Sequence, residues 1–249
     1  MIFKILIKFI SFLRNLLPIN SINNHKYLNK NQVTNLIVVM NSLKNRGFYP
    51  NNIFDIGCFK GLWSKQILGV FSKSNFFLFD ADSQNEKSLK KLKNNHSNLH
   101  YKIKLLSDDI KEYKFFKMQS GSSIFEEQTD HPRDIVYINS STLSLEINDE
   151  IQKSQNNLIK IDSQGSEIKI LKGLGQFINL FEVIILEVSL HQYNKDAPLF
   201  NEMNEFMISK DFRLYDIFDL KRLGNNKSFL VQFDCVFIRK DSDLLNVKF

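Results

Sequence analysis

Two short blocks constrain the fold of this chain more than anything else in it: Ile53-Phe54-Asp55-Ile56-Gly57-Cys58-Phe59-Lys60-Gly61 and Leu158-Ile159-Lys160-Ile161-Asp162-Ser163-Gln164-Gly165-Ser166-Glu167. In each, a short apolar run ends on a carboxylate, then comes a glycine-containing turn and a helix-like pattern. Parallel strands of an open α/β sheet deliver acids in this way to the crevice at their carboxyl ends, where such sheets bind ligands. The first block is spaced D-x-G-x-x-x-G. A dinucleotide fingerprint would read G-x-G-x-x-G, with no acid where the pyrophosphate must sit. Asp55 would repel a phosphate there and attract a cationic group, such as the ammonium of S-adenosylmethionine. The block therefore predicts a methyl-transfer cofactor. Gly57 and Gly61 are expected to leave cofactor space open and to start the following helix; a plain strand–helix turn is the alternative.

The length of 249 residues suits one sizeable α/β core, with residues 1–30 as an appendage and 31–249 as the domain. A net charge of +6 comes from scattered lysines, with no basic patch interleaved with aromatics, so nucleic acid is not expected as a partner. Cys58 and Cys235 are far apart and outside any C-x-x-C pair. They read as reduced core residues of a cytoplasmic protein.

Residues 1–17 contain no uncharged run long enough to span a membrane. On a helix, Lys4, Lys8, Ser11 and Asn15 form one narrow stripe and apolar residues cover the rest. Such a helix suits peripheral contact with the inner face of a membrane, or docking on the domain or a second subunit. Pro18 and residues 19–30 then form a connector.

Helices are expected over residues 32–46, 62–71, 83–95, 166–171 and 199–210, with strands over 53–56, 75–79, 99–106, 158–161, 183–188, 212–219 and 230–239. Short alternating runs at 113–118, 135–138 and 142–147 predict a β-rich insertion before the fourth strand. The whole reads as a Rossmann-like α/β fold, with a mostly parallel seven-stranded sheet and helices on both faces.

Asp80 closes the second strand where nucleotide-binding sheets place an acid for ribose hydroxyls, and Asp82 competes for that role. Ser107 and Asp108 close the third strand and are candidates for the adenine amino group, or a simple turn.

The chain resembles the FkbM-like family of class I S-adenosylmethionine-dependent methyltransferases. The resemblance is carried by Phe54-Asp55-Ile56-Gly57 through Gly61, Phe79-Asp80-Ala81-Asp82, Leu106-Ser107-Asp108, Ser120-Gly121-Ser122-Ser123, Ile159-Lys160-Ile161-Asp162 through Lys172-Gly173, Leu186-Glu187-Val188-Ser189, Phe212 to Asp216, and Gln232 to Phe237. It implies O-methylation of a hydroxyl acceptor: a glycan or glycolipid, or alternatively a polyketide or other small metabolite. Two stretches depart from the family pattern: Cys58-Phe59-Lys60-Gly61 after the first glycine, and Thr142-Leu143-Ser144, where the family carries Thr-Leu-Asp. The lost acid keeps a non-catalytic, cofactor-fold reading open.

Asp162 and Glu187 end neighbouring strands, so both carboxylates are expected beside the methyl donor. Removing the acceptor's proton calls for a carboxylate or histidine base, and Asp162, Glu187 and His191 are the candidates. The two acids could instead share a divalent cation, but two carboxylates alone do not define a metal site and none is assigned.

Overall fold

The computed structural model describes residues 35–147, 154 and 156–246. The expected N-terminal helix and its membrane contact lie outside those residues. Among the described residues no helix is long and apolar enough to cross a membrane.

Seven strands form the main sheet: β1 (Asn52–Ile56), β2 (Asn75–Asp80), β3 (Leu99–Ile103), β7 (Asn157–Ile161), β8 (Phe181–Ser189), β9 (Phe212–Leu223) and β10 (Phe229–Arg239). Their order is β3-β2-β1-β7-β8-β10-β9, and β10 alone runs against its neighbours. The central strands are apolar on both sides because both faces are covered by helices. Helix α1 (Leu36–Asn45) opens on Asn35, whose side chain accepts from the Val38 N–H, and buries Leu36, Val39, Met40 and Leu43 at helical spacing. With α2 (Leu62–Ile67) and α3 (Glu86–Asn95) it packs on one face, against Ile53, Leu78, Leu158, Ile185 and Val236. The other face, carrying Phe54, Ile159, Ile161, Ile184 and Phe237, is covered by α4 (Leu143–Glu146), α5 (Glu167–Leu174) and α6 (Phe200–Ser209).

The strand period of two has a chemical consequence at the carboxyl ends. The first face's apolar rows continue into charge: Ile53 is followed by Asp55, Leu158 by Lys160 and Asp162, and Ile185 by Glu187, while Val236 is preceded by Asp234. Register aligns these rows, with Asp55 opposite Lys160 and Glu187 opposite Asp234. The sheet thus carries a charged strip along one face of its ligand-binding edge.

The insertion forms a small sheet of order β4-β6-β5, made of β4 (Leu105–Leu106), β5 (Glu112–Lys117) and β6 (Asp134–Ser141). Two expectations are corrected. The third strand does not run on to residue 106: the Lys104 N–H turns to the Asp80 carbonyl at 2.7 Å, and Leu105–Leu106 pairs with β6 instead. Residues 142–147 are not a strand but contain helix α4, because Leu143 and Ile147 are buried while Leu145 is exposed, a spacing of four and not of two. Cys58 and Cys235 are both free and buried.

Candidate active site

The turn after β1 is built around close approach. The Gly57 and Cys58 N–H groups both donate to the Phe79 carbonyl, at 2.9 and 3.1 Å. A Cβ on Gly57, where φ is +70°, would stand 1.9 Å from the Asp162 carbonyl oxygen. Glycine is therefore required for the ends of β1 and β7 to meet, and it also lines the crevice described below. Gly61 lies outside that crevice: at φ +72°, a Cβ would meet the Leu92 side chain at 2.8 Å, so this glycine serves packing between α2 and α3.

Asp55 lines neither of the cavities described below. It is 0% exposed, accepts a 2.6 Å hydrogen bond from Ser64 on α2, and lies 3.8 Å from the Lys160 ammonium. Burial raises its carboxyl above the ordinary range against the pull of Lys160 and Ser64. The acid that the D-x-G pattern pointed at the cofactor is a buried member of the charged strip.

Asp80 does reach the crevice. Its Oδ1 accepts from the Asp82 N–H and Asn85 Nδ2 at 2.9 and 3.0 Å, and its Oδ2 accepts from the Phe59 N–H at 2.6 Å. A carboxylate oxygen has two acceptor positions, so Oδ2 retains one. Asp82 lies outside the crevice but lines the basin described below: it caps the following turn through the Gln84 N–H and pairs with Lys117 at 2.9 Å. Ser107 and Asp108 stand outside the crevice, in a polar knot with Tyr113 and Lys169. His191 is exposed in the turn after β8, and it lines neither of the cavities described below.

Asp162 is the junction of the site. Its Oδ2 accepts from Lys160 Nζ at 3.0 Å and its Oδ1 from Gln164 Nε2 at 2.9 Å. Burial pushes its carboxyl up, but Lys160, Lys221 and these hydrogen bonds outweigh that and hold it below the usual carboxylate range. Gln164, at φ +54°, also donates from Nε2 to Glu187 Oε2 at 2.6 Å, so one amide bridges both acids. Glu187 is further held by Lys221 on Oε1 and by Gln232 at 3.3 Å. Burial first, then the Asp162 charge, raise Glu187 to about 8; burial likewise raises Asp234 to about 7. Glu167 accepts from the Ser163 N–H, the Ser163 hydroxyl and the Gly165 N–H, fixing the turn that presents Asp162. The sequence reading missed Lys160, Lys221 and Asp234 as members. A lysine inside the run Leu-Ile-Lys-Ile, at an inward position, was a legible sign of a buried counter-ion; Lys221 and Asp234 arrive only through strand register.

Two cavities open here. A crevice of about 60 Å³ is lined by the β1 and β2 ends, by apolar Phe79, Leu105, Leu106, Phe115 and Ile124, and by the carboxylates Asp80 and Asp162. A basin of about 830 Å³ lies beside it, lined by Gln84, Lys117, Glu127, Arg133, Tyr193, Lys221 and Gln232 among others. Asp162, Gln119 and Ser120 border both. The crevice fits S-adenosylmethionine by its donor set: apolar walls for a purine, an acid with a vacant acceptor position for ribose hydroxyls, and a carboxylate toward a cationic centre. Among the described residues no three His, Cys, Asp or Glu side chains gather as metal ligands.

A doubly covered, mostly parallel seven-stranded sheet with this acid-lined carboxyl edge is the Rossmann-like class I methyltransferase fold. The Methyltransferase FkbM domain matches residues 50–214, and the chain belongs to that family. It is an S-adenosylmethionine-dependent methyltransferase. No curated protein matches the chain. Solved structures similar to it include the precorrin-6y C5,15-methyltransferase of Geobacter metallireducens GS-15, at 10% identity and TM-score 0.44 over 86% of this chain and 93% of that one. The bifunctional kinase-methyltransferase WbdD matches at 12% identity and TM-score 0.48 over 81% of this chain, which spans 37% of WbdD. TrmK of M. capricolum, in complex with S-adenosylhomocysteine, matches at 11% identity and TM-score 0.44, over 80% and 67% of the two chains.

Proposed function

We propose that this methyltransferase acts on a hydroxyl of a glycan or glycolipid, with Asp162 at the point of transfer. The observation that carries the reading is that one carboxylate borders both the crevice and the basin. S-adenosylmethionine, when bound, supplies a methyl group on a sulfonium, which an acceptor oxygen displaces in line. Asp80, with its remaining acceptor position, would hold the ribose, and Phe79 and Leu106 the purine. Lys160 keeps Asp162 ionised and oriented, and Gln164 ties it to Glu187. A carboxylate held below its ordinary range is a weak base. That suits a hydroxyl proton that turns acidic only as the new oxygen–carbon bond forms, with Asp162 receiving it.

The basin's lining favours a hydroxyl-rich acceptor over a polyketide, since amides, hydroxyls and charged groups outnumber apolar side chains there. Asp162→Asn should cut turnover by at least ~10²-fold while changing S-adenosylhomocysteine affinity little. Release of S-adenosylhomocysteine across nucleotide sugars, lipid-linked glycans and small aglycones, with calorimetry for the cofactor, tests this. Near wild-type turnover in Asp162→Asn would remove its catalytic role. Peripheral attachment belongs to the same proposal: deleting residues 1–17 should abolish co-sedimentation with anionic liposomes and spare cofactor binding.

A further inference from the structure

Glu127 lies in the insertion, in the wall of the basin, and no sequence motif marks it. It is 5% exposed, and its Oε2 has no hydrogen-bond partner among the described residues. Its backbone is pinned by a β-bridge to Asn194 and by the Gln128 N–H donating to the Tyr193 carbonyl at 2.9 Å. Thr129 donates to Oε1, which leaves Oε2 as the oxygen without a donor. The Tyr193 hydroxyl lies within reach of the same carboxylate, and burial together with Glu127 raises it to about 12. Arg133 does not neutralise Oε2 by direct contact: its guanidinium donates to the backbone carbonyls of Glu127, Thr129 and His131. A buried carboxylate oxygen without a donor costs free energy that a ligand can recover. Gly121 and Met118 lie over it: a Cβ on Gly121 would stand 3.6 Å from Oε2 and 2.7 Å from the Met118 methyl, so a ligand reaches Oε2 as this turn yields. Gly121 ends the short turn Gln119–Gly121, whose first two residues border both cavities.

We infer that Glu127 Oε2 is an acceptor-binding subsite, which takes a hydrogen bond from a second, non-reacting hydroxyl of a polyol and so sets which hydroxyl reaches Asp162. The neighbouring lysines are already engaged, Lys117 by Asp82 and Lys221 by Glu187, so a donor for Oε2 must come from the ligand. This rests on the basin being the acceptor site.

The test uses the full chain loaded with S-adenosylhomocysteine and the methyl glycosides of glucose, galactose and mannose as probes, read by saturation-transfer difference NMR. Transfer to the ring protons of at least one glycoside is expected, falling severalfold in Glu127→Gln and Glu127→Ala, with calorimetric affinity for S-adenosylhomocysteine unchanged. Absence of transfer in the wild type, equal transfer in the Glu127 variants, or stronger transfer to glucosamine than to methyl glucoside would overturn the inference. Glu127-dependent glycoside binding without methylation of any glycan would leave the subsite standing and remove the O-methyltransferase reading. Methylation of a glycan with a KM unmoved by Glu127→Gln would do the reverse.

Discussion

The Lys160 ammonium is buried between Asp162 at 3.0 Å and Asp55 at 3.8 Å, and Asp234 adds to the field that keeps it charged. Removing one member of such a group leaves uncompensated charge in a dry place. Lys160→Met should therefore cost about 3–5 kcal/mol of stability, read from the urea midpoint. The same change should move the acid limb of the pH–rate profile upward, because Asp162 loses the charge that holds its carboxyl down. At Gly57 the demand is steric. Gly57→Ala puts a Cβ into the Asp162 carbonyl at 1.9 Å, where backbone and not a flexible side chain must give way. Overpacking of this kind costs about 1–3 kcal/mol, and the left-handed backbone adds about 1–2 kcal/mol. Equal denaturation midpoints for Gly57→Ala and the wild type would show that the two strand ends can part. The glycine's identity was readable in the sequence. Its reason was not, because the oxygen it avoids lies 105 positions away, on Asp162.

At the scale of elements, β8 and β10 bring Glu187 and Asp234 opposite each other, raised to about 8 and about 7 from ordinary values of 4.5 and 3.8. Between the ordinary and the raised values the folded chain binds more protons than the unfolded one, so stability falls as pH rises through that window and levels off above about 8. Glu187→Gln should flatten the decline up to about pH 8, and Asp234→Asn its part below about pH 7, as followed by urea midpoints across the window. The turn Gln119–Gly121 and the residues after it give a second expectation. They line a crevice of about 60 Å³, far below the roughly 300–1,000 Å³ of small-molecule sites, so cofactor entry requires this segment to yield and then repack. Amide exchange at Gln119 to Ile124 should slow on adding S-adenosylhomocysteine; unchanged exchange would place the cofactor elsewhere.

For the whole molecule, a cofactor that binds only the folded chain raises its stability by mass action. S-adenosylhomocysteine at 100 times its Kd should add about 2.7 kcal/mol, visible as a rise in Tm. Asp80→Asn should weaken that affinity by ~1.5–3 kcal/mol, moving the same concentration series to the right. Local pattern was enough to foresee the alternation of strands and helices, the β-rich insertion and the acids at the carboxyl edge, because those follow from periodicity within a few residues. Helix α4 escaped it, since a run of six residues satisfies periods of two and four equally well until burial of Leu143 and Ile147 chooses between them. The roles of the acids escaped it too. Asp55 and Asp162 end their apolar runs in the same way, yet one is sealed against Ser64 and the other borders both cavities. Sequence determined which carboxylates reach the sheet edge. Tertiary structure alone decided which of them borders the cavities, because that depends on Lys160, Gln164, Lys221 and Glu127 arriving from three separate segments, and burial and counter-charge are set only when those segments pack.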